Sequence, residues 1–248
     1  MTPPETRRVV VTGAASGIGR ACVEHFVALG DDVLGLDRDA DGLAALAADT
    51  GALTARVDLL DPASIADLGL EADVVVNNAG FQHVAPVEEF PAETFEQILT
   101  LMLRAPFAIA QAVLPGMRER GWGRFVHVSS VHGHRASPYK IAYVTAKHGL
   151  EGFSKSLALE GAPHGITSNT VAPGYVRTPL VEGQVADQAR AHGIDEDQVV
   201  ADVLLARSAV KRLVEPDEVA RLVGFLCGPG TDSITGATHD MTGGWTAS

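Results

Sequence analysis

Short apolar runs and longer amphipathic stretches alternate along the whole chain. Strand-like runs fall at Arg7–Val11, Asp32–Leu36, Ala52–Val57, Asp73–Val76, Arg124–Val128, Ile166–Val171 and Thr238–Met241. Between them, apolar positions recur at helical spacing over Gly17–Leu29, Gly42–Ala48, Ala92–Arg120, Tyr139–Ala162 and Pro216–Leu226, with two more helices in Leu180–Ala206. Strands this apolar need cover on both faces, and helices between successive strands supply it. The pattern therefore predicts an α/β fold: a doubly wound, Rossmann-type, mostly parallel sheet in a single domain over residues 1–248. Ligands of such a sheet bind beyond the carboxyl ends of its strands. Residues 180–214 read as a helical insertion and a candidate lid over the substrate; a solvated surface decoration is the other reading. In the 139–162 helix, Ile141, Val144, Leu150, Phe153, Leu157 and Leu159 leave little of the circumference polar. Such a helix needs two partners, the sheet and a second subunit.

Composition narrows the classes of partner. The chain has 248 residues, 46% hydrophobic and 20% charged, with a formal net charge of −12. That acidity repels phosphate backbones and argues against nucleic acid. The start, MTPPETRR, has no apolar leader, and no run is expected to reach the ~18–20 apolar residues of a membrane span. A cytoplasmic protein is the expectation. Cys22 and Cys227 lie far apart in predicted helices and read as buried free thiols of a reducing compartment. His132 and His134 form the one close histidine pair, with no cysteine or carboxylate at ligand spacing, so no metal is expected. A nucleophile elbow is also missing from the sequence.

The first strand runs directly into Thr12-Gly13-Ala14-Ala15-Ser16-Gly17-Ile18-Gly19, which opens a helix. Without Cβ atoms the backbone can turn tightly there and approach a pyrophosphate, with N–H groups at the helix start aimed at the anion. Asp37 ends the second strand, where an adenosine ribose would lie. A carboxylate at that point accepts from both ribose hydroxyls and repels a 2′-phosphate, which favours NAD over NADP. Arg38 is the complication, since it would neutralise a phosphate if Asp37 turned away; Asp37 alone is also an ordinary loop-start residue. Tyr143 and Lys147 stand at i and i+4 near a helix start and share a face. A phenol titrates near ~10, and an ammonium beside it, together with a positive nicotinamide, draws that value down. Ser130 follows the strand Arg124–Val128, within reach of a substrate oxygen. Taken singly, a Tyr-x-x-x-Lys pair is also common on exposed helices.

Together TGAASGIG, Asn77-Asn78-Ala79-Gly80, Ser130, Tyr143/Lys147 and Pro173-Gly174 resemble, in order and spacing, the short-chain dehydrogenase/reductase superfamily over essentially the whole chain. The resemblance implies that Tyr143 is the acid/base, that Lys147 lowers its pKa and holds the ribose, and that Ser130 polarises the substrate oxygen. It implies a cofactor site of Gly13, Ser16, Gly17, Ile18, Gly19, Asp37, Asp58, Leu59, Asn78, Ala79, Gly80, Pro173, Gly174, Val176 and Thr178, with Asn77 and Val171 beside it. The segments NNAGFQHVAPVEEF, Gly121–Gly123, AYVTAKHG, PGYVRTPLVE and GGWTA further resemble bacterial D-3-hydroxybutyrate dehydrogenases. From that likeness come a carboxylate-binding set of Gln82, His132, Lys140, Gln184 and Trp245, a homotetramer, and a place in ketone body metabolism.

Two positions depart from the superfamily pattern. Met102 stands where an Asn commonly helps hold a water that links the lysine to solvent, and a thioether cannot replace an amide. Thr242 stands where an acidic residue is common. With the resemblance, three functional readings stay open. The first is reversible oxidation of (R)-3-hydroxybutyrate to acetoacetate with NAD; the second keeps the chemistry with another short hydroxy acid or secondary alcohol. The third is a non-catalytic NAD-binding sensor or scaffold whose proton relay Met102 has impaired.

Overall fold

A computed structural model describes residues 4–179, 181–183, 185, 189 and 195–247. The strands are β1 (Arg8–Thr12), β2 (Asp32–Asp37), β3 (Leu53–Arg56), β4 (Val74–Asn77), β5 (Gly123–Val128), β6 (Ile166–Pro173) and β7 (Thr238–Met241). The helices are α1 (Gly17–Ala28), α2 (Ala40–Thr50), α3 (Pro62–Ala66), α4 (Ala92–Leu99), α5 (Ala105–Arg120), α6 (Ile141–Gly161) and α7 (Pro216–Leu226). The strands form one 7-stranded sheet in the order β3-β2-β1-β4-β5-β6-β7, and every ladder in it is parallel. The fold is the Rossmann-type doubly wound α/β domain that the sequence predicts.

Alternation along each strand explains the two helical layers. Val9 and Val11 of β1, Val74 and Val76 of β4, and Val126 of β5 enter one core with Phe26 of α1 and Val219 and Val223 of α7. Their neighbours Val10, Val75 and Phe125 enter the other, with Ile65 of α3 and Ile109 and Val113 of α5. Successive side chains of a strand face opposite ways, so continuous apolar runs make two cores. Cys22 and Cys227 are buried and unbonded in the first. The sheet order reverses between β1 and β4, and this switch point fixes where a ligand cleft opens.

Three local expectations change. Helix α6 starts at Ile141 because Tyr139 has φ 66°, a left-handed conformation that a helix cannot include. The predicted Ala92–Arg120 helix is divided by a π-helical turn at Thr100–Arg104. Pro106 lies just beyond it and lacks the N–H that would bond the carbonyl of Met102, so the i→i−4 ladder cannot run through unbroken. Contrary to the expectation from sequence, this 29-residue stretch is long and apolar enough for a membrane span by length and composition, with mean hydropathy 1.6 over its most apolar window. It is built into the domain, however, with Ile98, Met102, Ile109 and Met117 fully buried against α6 and the sheet. Within the expected insertion, Glu196–Gln198 is helical behind an Asp195 capping box and continues into a π turn at Val199–Leu204. Val185, Val199 and Leu204 pack there with Tyr175. Residues 180, 184, 186–188 and 190–194 lie outside the described residues.

The amino-end edge of the sheet is tied by ion pairs. Asp73, just before β4, accepts from Arg8 N at 2.9 Å and pairs with Arg120 Nε at 2.8 Å. Burial works to raise its pKa, but the bonds from Arg8 and the Arg120 charge hold the carboxyl below its usual range. Buried Arg124 of β5 lies 4.4 Å over the Trp122 ring and pairs with Asp232 at 2.6 Å.

Candidate active site

The turn after β1 is locked to the segment after β4. Asn78 Nδ2 donates to the carbonyls of Thr12 and Gly13 at 3.0 and 3.1 Å, and Thr12 Oγ1 accepts from the Asn78 and Ala79 amides. Gly13 has φ 67°, and a Cβ on it would stand 2.8 Å from Asn78 Nδ2. A Cβ on Gly19 would lie 2.0 Å from the Gly13 carbonyl oxygen. Two of the motif glycines are therefore demanded by the turn's own packing, independently of any phosphate.

Above this turn, at the carboxyl ends of the strands, opens a cleft of about 420 Å³. Every residue of the expected cofactor site lines it except Gly19, which is buried beneath the turn. Asp37 faces this cleft beside Arg38. Its carboxylate also holds backbone, accepting from Ala15 N at 3.0 Å and Asp39 N at 3.1 Å. The donors fit a dinucleotide: glycine backbone at the start of the 12-residue α1, and carboxylates at Asp37 and Asp58 toward the other end.

Ser130, Tyr143 and Lys147 come together at the inner end of the cleft. Ser130 leaves β5 extended; its Oγ accepts from His132 N at 3.2 Å, and it hydrogen-bonds the Tyr143 phenol. Lys147 Nζ lies 5.5 Å from the Tyr143 ring centroid and donates to the Val128 carbonyl at 2.7 Å. Burial pushes the lysine down to about 8, against the opposing charge of Glu151. The phenol behaves differently in the free chain. Burial raises its pKa, and the protein group that favours its ionised form is Ser130 rather than Lys147.

Beside Tyr143 the aromatic rings of His132, Trp245 and Tyr175 form a wall. His132 meets Tyr143 and Trp245 edge-on, each at 6.1 Å between centroids, and Tyr175 stacks on Trp245 at 6.3 Å. Burial, with the nearby Lys140 charge, holds His132 down to about 4 and so neutral. Lys140 precedes α6, is half-buried, and has a lowered pKa from burial. Gln82 is half-buried in the loop after β4, which Ala85 N ties to the Tyr139 carbonyl, next to Lys140. Gln184 lies outside the described residues. Thr242 has a task of its own: its Oγ1 accepts from Thr246 N at 3.3 Å and lies 3.0 Å from Thr246 Oγ1, anchoring the turn that carries Trp245.

Sequence reasoning missed Tyr175, Arg207, Glu151 and His127. Arg207 lies 5.7 Å over the Trp245 ring. His127 is fully buried between Asn77 Nδ2 at 3.0 Å and Ser168 Oγ at 3.2 Å, its pKa driven down to about 3 by burial. Tyr175 sits within the PGYVRTP run, but nothing local in the sequence signals its stacking on Trp245. Among the described residues no cluster of His, Cys, Asp or Glu is set to hold a metal.

A family model described as Enoyl-(Acyl carrier protein) reductase matches residues 13–246. D-beta-hydroxybutyrate dehydrogenase of Rhizobium meliloti is 39% identical over 257 residues, covering 98% of this chain and 99% of that protein. The enzyme of the same name from Cupriavidus necator is 38% identical, covering 97% and 98%. The chain is a short-chain dehydrogenase/reductase. Among solved members of that fold, L-sorbose reductase from Gluconobacter frateurii, complexed with NADPH and L-sorbose, superposes with TM-score 0.91 at 28% identity, covering 98% of this chain and 97% of that one. A nicotinamide dinucleotide is the cofactor class that goes with this oxidoreductase family.

Proposed function

We propose that this short-chain dehydrogenase/reductase catalyses the reversible, NAD-dependent oxidation of (R)-3-hydroxybutyrate to acetoacetate. The observation that carries the reading is the wall of His132, Trp245 and Tyr175 beside Tyr143, with Lys140 next to it. A small hydroxy acid needs a desolvated apolar wall for its short chain and a cation with polar donors for its carboxylate. The printed names of the two bacterial relatives support the same substrate.

NAD is the cofactor in this reading. Asp37 is fixed at the cleft by two backbone donors, so turning it away to admit a 2′-phosphate costs both bonds. When bound, the nicotinamide supplies the hydride acceptor. The chain's residues do the rest. Ser130 orders the substrate oxygen against Tyr143, and Tyr143, ionised in the cofactor-bound site, takes the hydroxyl proton on its Oη as the carbonyl forms. Lys147, its ammonium anchored on the Val128 carbonyl, holds positive charge beside the phenol ring. Lys140 and His132 orient the carboxylate, with Gln82 and Gln184 as further donors, and residues 180–214 close over the substrate. Exposed Leu159 and Phe225 suit burial in a homotetramer, which light scattering reads directly.

The test is an NADH absorbance assay over short hydroxy acids and carboxylate-free secondary alcohols, with NAD and NADP side by side. The expected result is highest kcat/KM for (R)-3-hydroxybutyrate with NAD. Equal rates on a carboxylate-free alcohol would sink the substrate reading, and a preference for NADP would sink the cofactor reading.

A further inference from the structure

Glu151 takes no part in the proposed reaction, yet it is buried in α6 one helical turn beyond Lys147. Its Oε2 accepts from Thr170 Oγ1 of β6 at 2.7 Å and from Thr238 Oγ1 of β7 at 2.6 Å. Its Oε1 has no hydrogen-bond partner, and neither has Ser129 Oγ. Both atoms press on the same glycine: a Cβ on Gly133 would stand 2.8 Å from Oε1 and 2.6 Å from Ser129 Oγ. Gly133 closes the turn that carries Ser130 and His132. A buried carboxylate with an unmet oxygen is costly unless a cation offsets it, and residues at i and i+4 share a helix face.

We infer that Glu151 is a positioning residue for the acid–base pair: its buried carboxylate is the counter-charge that keeps Lys147 protonated, and it braces the Ser129–Gly133 turn against α6. The inference rests on the roles proposed for Tyr143 and Lys147. Other groups around α6 supply no such charge. His127 of β5 and His132 of the turn are held neutral by burial, and in the free chain burial also favours the protonated form of Tyr143. Glu93 and Glu96 of α4, Arg104 of the π turn, and His164 are exposed to water. Strand β6 offers hydroxyls and amides, and Asp240 of β7 is engaged by His134 at 3.6 Å. Burial works to strip the Lys147 proton, and Glu151 is the charge that opposes it.

Glu151→Gln keeps an oxygen for the two threonines and removes the charge. The readout is the titration of Lys147 by carbon NMR of the full chain labelled at lysine Cε. The lysines are Lys140, Lys147, Lys155 and Lys211, and the Lys147 signal is identified by its loss in Lys147→Met. In Glu151→Gln its midpoint should fall by about one pH unit, and the alkaline limb of kcat/KM should move down with it. Glu151→Asp should restore the midpoint toward that of the unaltered chain. An unchanged midpoint in Glu151→Gln, or an equal fall in Glu151→Asp, overturns the inference. Should Glu151→Gln not fold, carboxyl-carbon NMR of the unaltered chain decides: Glu151 ionised at pH 7 supports the counter-charge, and Glu151 protonated removes it. Because the titration needs no turnover, a failed hydroxybutyrate assay would sink the substrate reading and leave this test standing.

Discussion

The two ends of the sheet treat buried charge in opposite ways. At the amino end, Asp73 meets Arg8 and Arg120, and Arg124 meets Asp232, so each charge is answered by a fixed partner within the chain. At the carboxyl end, Lys147 is anchored on a carbonyl with Glu151 opposing it without a direct ion pair, and Lys140 makes no ion pair among the described residues. Tyr143, His132, Lys140 and Lys147 are all shifted by burial toward their neutral forms. Paired charge of the first kind stabilises a fold. Desolvated groups without direct ion-pair partners carry an energetic cost that a ligand can offset, which is how a functional end differs from a structural one.

The sharpest way to break this contrast is at Tyr143. Under the proposed mechanism, Tyr143→Phe should lower kcat by roughly a thousandfold, while cofactor affinity, read by NADH fluorescence, stays within a few-fold. Retained turnover would remove the phenol from the chemistry. At the opposite end, Asp73→Asn should leave KM unchanged and lower the unfolding free energy by roughly 3 kcal/mol, the low end for a broken buried pair because both arginines are partly exposed. Urea denaturation measures it. A changed KM would mean that the two ends are coupled after all.

Much of this division is legible in the amino-acid sequence. All seven strands match runs read from the sequence; burial on both faces forces the apolar runs of the central strands β1, β4 and β5, whereas the edge strands β3 and β7 stay partly exposed. The glycine turn, Asp37, Ser130, Tyr143 and Lys147 are local patterns of strand ends and helix faces, and they line one cleft. What escapes such a reading depends on contacts distant in sequence. Glu151 reads as one more polar residue on a helix, and only its contacts with Thr170, Thr238 and Gly133 show it buried between the helix and the sheet. Tyr175 acquires its place from Trp245. The expectation that the phenol's pKa falls combines the Lys147 spacing with the charge of a bound nicotinamide; in the free chain desolvation, which no local pattern signals, pushes it the other way.

Lys140 sharpens the comparison because affinity and stability should move in opposite directions. Lys140→Met should raise KM for 3-hydroxybutyrate by about 30-fold, the loss of one charge-assisted hydrogen bond. Thermal stability should hold or rise slightly, since the substitution relieves a desolvated cation that lacks an ion-pair partner among the described residues. Thermal melts of the free protein beside KM measurements separate these effects. A fall in both would class Lys140 with the structural charges of the amino end.

The smallest effect is expected at Met102, where the superfamily pattern most clearly lapses. Met102, Asn77 and Lys147 border a small cavity of about 10 Å³, near the lower limit for admitting one water. Asn77 Oδ1 is a buried acceptor without a hydrogen-bond partner, and Pro106 gives no N–H to the Met102 carbonyl. The chain thus carries polar groups around Lys147 that do not depend on the side chain at 102. Met102→Asn should change kcat by less than about threefold, because an added amide duplicates acceptors already present. A tenfold or greater rise, measured by single-turnover absorbance with a solvent-isotope comparison, would show instead that proton escape from Lys147 limits the reaction and that the thioether is the obstruction.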